Sequence, residues 1–283
     1  MSIVNFIPEI WSSQILVNLR EALVYAGRCN RDYEGEIQQA GDTVHITSFG
    51  KPTISSYSKY GTLTYEQLSD DTRALLVDQQ KSFSFAVDDI DRRQALGGFV
   101  DNAMSDAAFG LAEVADMYVA AQMDAAVDST ANDLGAITAD TSNANAYGDI
   151  FVAMRTALNR AKCPLQGRWA VIPPELYGSL LQDARFINAQ ASADAGVALH
   201  QGALGRIVGF DVYESNNVPT DTAGVYEVLA GHPIAVTYAD QILETEALRL
   251  IDFIGDGLRG LHVYGAKVVR PECLATASVT VQA

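Results

Sequence analysis

The sequence predicts an α+β chain, and three observations carry that prediction. Apolar residues recur at helical spacing from Ala95 to Met123, long enough for one extended helix. Two earlier stretches, 43–47 and 82–87, alternate with period two as strands do. Beyond about residue 147 short helical and strand patterns interleave, as in an α/β unit.

Pro8 to Gly27 predicts a first helix, with Pro8 near its start and Gly27 just past its end. Ile15, Leu19, Ala22, Leu23 and Ala26 form one apolar stripe, and Trp11 adds a large anchor. Packing on its own domain or embracing a neighbour would satisfy that stripe equally well.

From Gly35 to Asp89 the pattern becomes extended. Val44 and Ile46 alternate with Thr43, His45 and Thr47, and Phe83, Phe85 and Val87 alternate with Ser82, Ser84 and Ala86. Between them lies a polar middle, Ser55-Ser56-Tyr57-Ser58-Lys59-Tyr60-Gly61-Thr62. A long strand pair with so few aliphatic side chains there cannot bury a core of its own and must lie across something else. An arm of about 15–20 residues reaches some 50–65 Å at about 3.3 Å per residue. An ordinary antiparallel region with a long loop is the alternative.

The acidic turn Asp88-Asp89-Ile90-Asp91 suits a helix start and needs no cation. The helix that follows could run to about Val127, on the order of 50 Å. Its alanines allow close neighbours, and the cost of Gly97, Gly98 and Gly110 suggests tight packing or slight bending. Residues 128–147 are small, polar and turn-rich, a boundary by composition. A helix is predicted over 146–162, with Ile150, Phe151, Met154, Ala157, Leu158 and Ala161 inward. Arg168 to Ile172 reads as a strand stopped by Pro173-Pro174, with a short helix after it. In 202–219, Gly205 and Gly209 bracket Ile207-Val208, Phe210 to Tyr213 alternate, and Asn216-Asn217-Val218-Pro219 stops the run. Strands near 225–230 and 234–238, a mixed stretch to Asp256, and closing strands at 261–269 and 277–281 complete the pattern.

Composition narrows the function. Among 283 residues, 19 Lys plus Arg face 35 Asp plus Glu, a formal charge of −16 that argues against general affinity for nucleic acid. Only 19% of residues are charged while 48% are hydrophobic, a balance suited to a surface hidden against partners, although a well-packed enzyme could share it. Cys29, Cys163 and Cys273 are far apart and odd in number, with neither metal spacing nor a disulfide framework, which points to a reducing cytoplasm. There is no signal-peptide pattern and no run of eighteen apolar residues. Gly-x-Ser-x-Gly, His-Glu-x-x-His and the phosphate-binding Gly-x-x-x-x-Gly-Lys-Ser/Thr do not occur. Gly202, Gly205 and Gly209 have the wrong spacing for a dinucleotide fingerprint and precede a strand. His45, His200, His232 and His262 stand singly. Neither catalytic, cofactor nor metal residues are assigned.

Phe6-Ile7-Pro8-Glu9-Ile10-Trp11, the run Phe83 to Asp91, Gly209-Phe210-Asp211-Val212-Tyr213 and the run Val263 to Pro271 resemble phrases of tailed-bacteriophage major capsid proteins, actinobacteriophage-type coat proteins in particular. The order of elements resembles the same family. The resemblance implies the Hong Kong 97-type fold: an N-terminal arm and helix (1–34), an extended β-hairpin loop (35–90), a long spine helix opening a peripheral domain (91–134), an α/β axial domain (135–258), and return strands to the peripheral domain (259–283). It further implies a structural protein that self-assembles as hexamers and pentamers into an icosahedral virion shell around double-stranded DNA, held only nonspecifically, in the host bacterial cytoplasm and away from membranes. A portal is implied. Because the pattern begins almost at Met1, scaffolding is expected to be a separate protein. Inter-subunit contacts would involve Trp11, Tyr57, Lys59, Tyr60 and Tyr65. Some relatives crosslink through a lysine on the extended loop, where Lys51 and Lys59 lie, though nothing local marks either as reactive. An encapsulin-type nanocompartment shell and a soluble α/β enzyme are the alternatives.

Overall fold

Among the described residues, alternation and helical periodicity resolve into three sheets and one long helix. The computed structural model describes residues 23–32, 43–49, 54, 56, 59–60, 70–88, 99–127, 131–140, 148–180, 206–222, 224–250 and 254–282. The predicted first helix therefore lies largely outside the described residues. Its end, Ala26–Arg28, is a single 3-10 turn that includes Gly27.

Strands β1 (Thr43–Phe49) and β2 (Asp70–Leu76) form an antiparallel pair with Thr43 opposite Leu76. Strand β3 (Gln79–Asp88) shows the expected alternation, yet it is not the partner of β1. It pairs instead with the far end of the chain, Gln79 opposite Tyr264 and Asp88 opposite Gly255. Period two identifies a strand and its faces but says nothing about which edge it joins.

Helix α1 spans Phe99–Ala126. Met104, Ala108, Leu111, Ala112, Ala115, Val119, Ala120 and Met123 are buried, the stripe that helical spacing requires. A Cβ built on Gly110 meets nothing within 4 Å, so this glycine serves no close approach. Gly97, Gly98, Asp89 and Asp91 lie outside the described residues, and Asp88 ends β3 rather than capping a helix.

The stretch read as a boundary contains strand β4 (Asp133–Asp140), parallel to the last strand of the chain. Its turn-like residues build a bulge. Gly135 adopts φ +69° with its N–H donated to Asp133 Oδ1 at 2.8 Å, and the register slips there by one residue. A π turn (Gly148–Val152) leads into α2 (Ala153–Arg160), and together they bury Ile150, Phe151, Met154, Ala157 and Leu158 as expected, while Ala161, just past the helix end, is only half-buried. The helix ends in a Schellman turn. Lys162 takes φ +59°, Cys163 N–H donates to Leu158 O at 3.0 Å, and Lys162 N–H donates to Asn159 O at 3.0 Å.

Strand β5 (Trp169–Ile172) is buried throughout, and α3 (Pro174–Leu180) follows it. Strands β6 (Arg206–Ile207) and β7 (Phe210–Glu214) form a hairpin joined by Val208-Gly209 at φ +48° and +89°. Positive φ at both positions is the type I′ pattern, which glycine accepts and a β-branched residue resists. Arg155 donates to the Val208 carbonyl at 3.1 Å and steadies the turn. Strand β8 spans Val225–Gly231. The mixed stretch to Asp256 proves to be two long strands, β9 (Val236–Arg249) and β10 (Gly255–Val268), antiparallel from Arg249 opposite Asp256 to Val236 opposite Val268. Each reaches about 45 Å at about 3.3 Å per residue. Strand β11 (Leu274–Gln282) closes the chain.

The sheets are β1-β2, β3-β10-β9 and the mixed β4-β11-β8-β5-β7-β6. One core, including Phe151, Trp169, Phe210, Tyr238 and Leu274, joins α1, α2 and the six-stranded sheet. Smaller clusters lie under the hairpin base and where Leu258 meets Met104 and Ala108.

Two glycines make opposite predictions. Gly110→Ala should raise the stability measured by urea unfolding by about 0.5–1 kcal/mol, because the helix gains propensity and nothing is displaced. Gly209→Ala should lower it by about 1–2 kcal/mol, because φ there must stay positive.

Candidate functional site

Two anchorages show how this chain presents the segments that extend beyond its core. The first holds the N-terminal stretch 23–32. Asp116 sits on α1 and is wholly buried. Its Oδ1 accepts the backbone N–H groups of Tyr25 at 2.8 Å and Ala26 at 3.1 Å. Its Oδ2 accepts Asn217 Nδ2, at the turn after β7, at 3.5 Å. Burial raises the carboxyl's pKa above the usual 3.8, while these donors, with the Val24 amide, pull it back only in part. Tyr25 stacks edge-on to Trp169 with ring centres 6.4 Å apart, and the Arg28 guanidinium lies 4.1 Å above the Tyr213 ring. Asn30 then bridges to β9, donating to Val236 O at 2.8 Å and accepting from Tyr238 N–H at 3.0 Å. A short segment with little regular structure is thereby fastened to the helix, the sheet and the β7 turn.

The second anchorage holds the β1–β2 hairpin. Leu75 and Val77 are buried with Ala239 and Val263 in a small cluster of their own. Arg73 donates to the Val269 carbonyl. Gly265 on β10 lets the chain cross directly above it. A Cβ there would strike the Leu76 carbonyl and come within 2.9 Å of Val77 Cα. Farther out, Ile54 is 97% and Tyr60 88% exposed, and Ser56 and Lys59 are exposed too. The described part of the hairpin is thus attached at its base and open to solvent toward its middle.

Of the predicted contact residues, Lys59 and Tyr60 lie together at a turn, with the Lys59 ammonium 5.2 Å from the Tyr60 ring centre and Tyr60 at φ +70°. Trp11, Tyr57 and Tyr65 lie outside the described residues. Sequence reading missed Asp116, Arg73 and Gly265. An acidic residue inside the apolar stripe of α1, between Ala115 and Val119, was a readable signal for the first. Nothing local marks the other two.

No arrangement for catalysis is assembled among the described residues. No cluster of three or more His, Cys, Asp or Glu there suits a metal ion. His232 sits in a turn as expected, accepting Ile234 N–H at Nδ1 (3.2 Å) with Nε2 3.0 Å from Gln166 O. His262 is fully buried, its Nε2 3.6 Å from Asp240 Oδ2. Gly255-x-Gly257-x-x-Gly260, a spacing the sequence reading passed over, lies wholly within β10 and forms no phosphate-binding turn. The recess of about 280 Å³ beside it is lined by Phe83, Glu246, Arg259 and Leu261, and Arg259 is engaged by Glu246. Among the described residues no helix is long and apolar enough to cross a membrane.

Comparison with known proteins gives these features a context. The family model for phage capsid proteins matches residues 69–277, well over half of the chain. No curated protein matches. A solved structure from Mycobacterium phage Che8 is similar at 32% identity and a TM-score of 0.73, covering 90% of each chain. The capsid structure of cyanophage P-SCSP1u is similar in fold at 18% identity and a TM-score of 0.66, covering 87% of this chain and 85% of that one. A virus-like particle from Pyrococcus furiosus shares the fold at 10% identity and a TM-score of 0.57, covering 95% and 98%.

Asp116→Ala should cost about 2–4 kcal/mol in urea unfolding, since buried amides lose their acceptor. Asp116→Asn should cost less and should expose the sign of the pH term. A raised native pKa means that the folded wild type binds the proton more tightly, so wild-type stability falls as pH rises from 3.8 through the native value. The difference between variant and wild type should therefore shift in the variant's favour over that window. Gly265→Ala should speed amide exchange across 70–77 more than across β5.

Proposed function

The chain belongs to the phage capsid protein family and is a major capsid protein, and from that premise we propose how it builds a shell. Subunits associate as hexamers and pentamers into an icosahedral shell around double-stranded phage DNA. The role is structural rather than catalytic. The observation that carries the reading is the β1–β2 hairpin, anchored at its base beside Gly265 and exposed at Ile54, Lys59 and Tyr60. Such a segment buries little against its own subunit and gains its contact area by lying over a neighbour.

In this reading 1–34 is the N-terminal arm and 35–90 the extended loop. Residues 91–134 open the peripheral domain, 135–258 form the axial domain, and 259–283 return to the peripheral domain. Trp11, Tyr57, Lys59, Tyr60 and Tyr65 contribute contacts between subunits. The charge of −16 suits a wall that does not adhere to the nucleic acid beside it. A separate scaffolding protein and a portal take part, assembly proceeds in the host cytoplasm, and the product is the capsid of the virion. The phage family match favours this reading over a nanocompartment shell.

Deleting residues 52–64 should leave a subunit whose far-ultraviolet circular dichroism and thermal transition are retained. Electron microscopy should then show no closed shells under conditions where the intact chain, with its scaffold, forms particles of megadalton size. Global unfolding of the deletion would count against the loop's independence. An intact chain that stays monomeric with scaffold, and is missing from virions, would overturn the assembly reading.

A further inference from the structure

Helices α1 and α2 each leave an outward face uncovered, and the two faces carry opposite charge. We propose that these faces are the two halves of one contact between copies of this chain. In it, the acidic, apolar outer face of α1 seats the basic, apolar outer face of α2 of a second copy. The inference rests on the shell reading above and names one surface that joins neighbouring subunits.

On α1 the buried stripe leaves Asp106, Phe109, Glu113, Val114 and Met117 on the opposite side, within an arc of about 140° at 3.6 residues per turn. Phe109 is 62% exposed and Met117 45%, with Val114 exposed beside them. The helix carries no Lys or Arg at all, whereas Asp101, Asp106, Glu113, Asp116 and Asp124 all lie on it. None of the ion pairs formed among the described residues uses Asp106 or Glu113. Large apolar side chains left in water between free carboxylates are a surface for a partner to cover.

On α2 the signs reverse. Met154, Ala157 and Leu158 are buried, and Arg155 and Arg160 are exposed on the other side. Lys162, in the Schellman turn, is exposed, as are Val152 before the helix and Leu165 after it, the last at 61%. Residues 155–168 contain Arg155, Arg160, Lys162 and Arg168 and no acidic residue, within a chain of net charge −16. Arg155 donates to the neutral Val208 carbonyl and so keeps its charge uncompensated. Arg160 and Lys162 enter no ion pair among the described residues.

The two faces fit by chemistry. Each interleaves apolar side chains with unpaired charges of one sign, and the signs are opposite. Complementary potentials steer approach and set the register, whereas two like faces would bring carboxylate against carboxylate or cation against cation. The contact is therefore heterologous, one copy giving α1 and the next α2, and its repetition closes a ring where the rotation allows. Burial of Phe109, Met117 and Leu165 supplies the attraction that exposed ion pairs alone do not.

The test uses particles assembled from the full-length chain with its scaffold, from a mixture of isotopically heavy and light subunits. A carbodiimide joins a carboxylate to a lysine amine where the two are in contact. Mapping should find Asp106 or Glu113 linked to Lys162, in pairs that mix heavy and light chains, and unassembled subunits should lack the link. Reversing one face, by Asp106→Lys with Glu113→Lys or by Arg160→Glu with Lys162→Glu, should lower particle yield about tenfold. Reversing both faces together should restore it. All four positions are exposed, so circular dichroism should match the wild type. Should a variant misfold, the wild-type map decides alone. Links from Asp106 or Glu113 to Lys59 instead, links within one chain only, particles with no such link, or a reversed face that assembles at wild-type yield would each overturn the contact and leave the shell standing. A wild-type chain that never assembles would overturn both.

Discussion

Strand β10 is the constraint on which the other parts depend. It has a partner on both edges, β9 from Asp256 to Val268 and β3 over the ten residues Gly255–Tyr264, so along that shared stretch its backbone is paired on both sides. Both of its faces are then available for packing. Leu258 meets Met104 and Ala108 of α1, and Tyr264 meets Tyr118 with ring centres 5.6 Å apart. Gly265 leaves the opening through which the hairpin base crosses. Helix, hairpin and sheet are positioned by one strand, and a fault in it would reach all three.

The N-terminal segment obeys a different constraint. Its amides at Tyr25 and Ala26 enter an apolar core where an unpaired N–H is costly, and Asp116 supplies the acceptor. A buried carboxylate carries its own desolvation cost, which the raised pKa records. The exchange is worthwhile because a single side chain joins three segments that are remote in sequence.

In the shell proposed above, these anchorages serve assembly. There a subunit with 19% charged residues, a hairpin exposed at Ile54, Lys59 and Tyr60 and a fastened N-terminal stretch would make many modest contacts instead of one strong one. Closed symmetry multiplies such contacts, because each is repeated by every copy and the later ones form at high effective concentration.

Local pattern determined by itself which segments are strands and helices over most of the described chain. The stripe from Met104 to Met123, the alternation of Phe83, Phe85 and Val87, the buried run Trp169–Ile172 and the Val208-Gly209 turn all obey periods and dihedral limits set by a few neighbouring residues. Of the predicted contact residues, only Lys59 and Tyr60 fall on described positions, where exposure followed from the polar run around them. Tertiary structure alone decided partnership. β3 joined β10 rather than β1, and Asp133–Asp140 became a parallel edge strand because Gly135 could bulge and β11 offered an edge. The meetings of Gly265 with Leu76 and of Asp116 with Tyr25 likewise join residues separated by long stretches of chain. No periodicity spans such distances, because a repeat fixes the face a side chain takes and leaves open what will cover it.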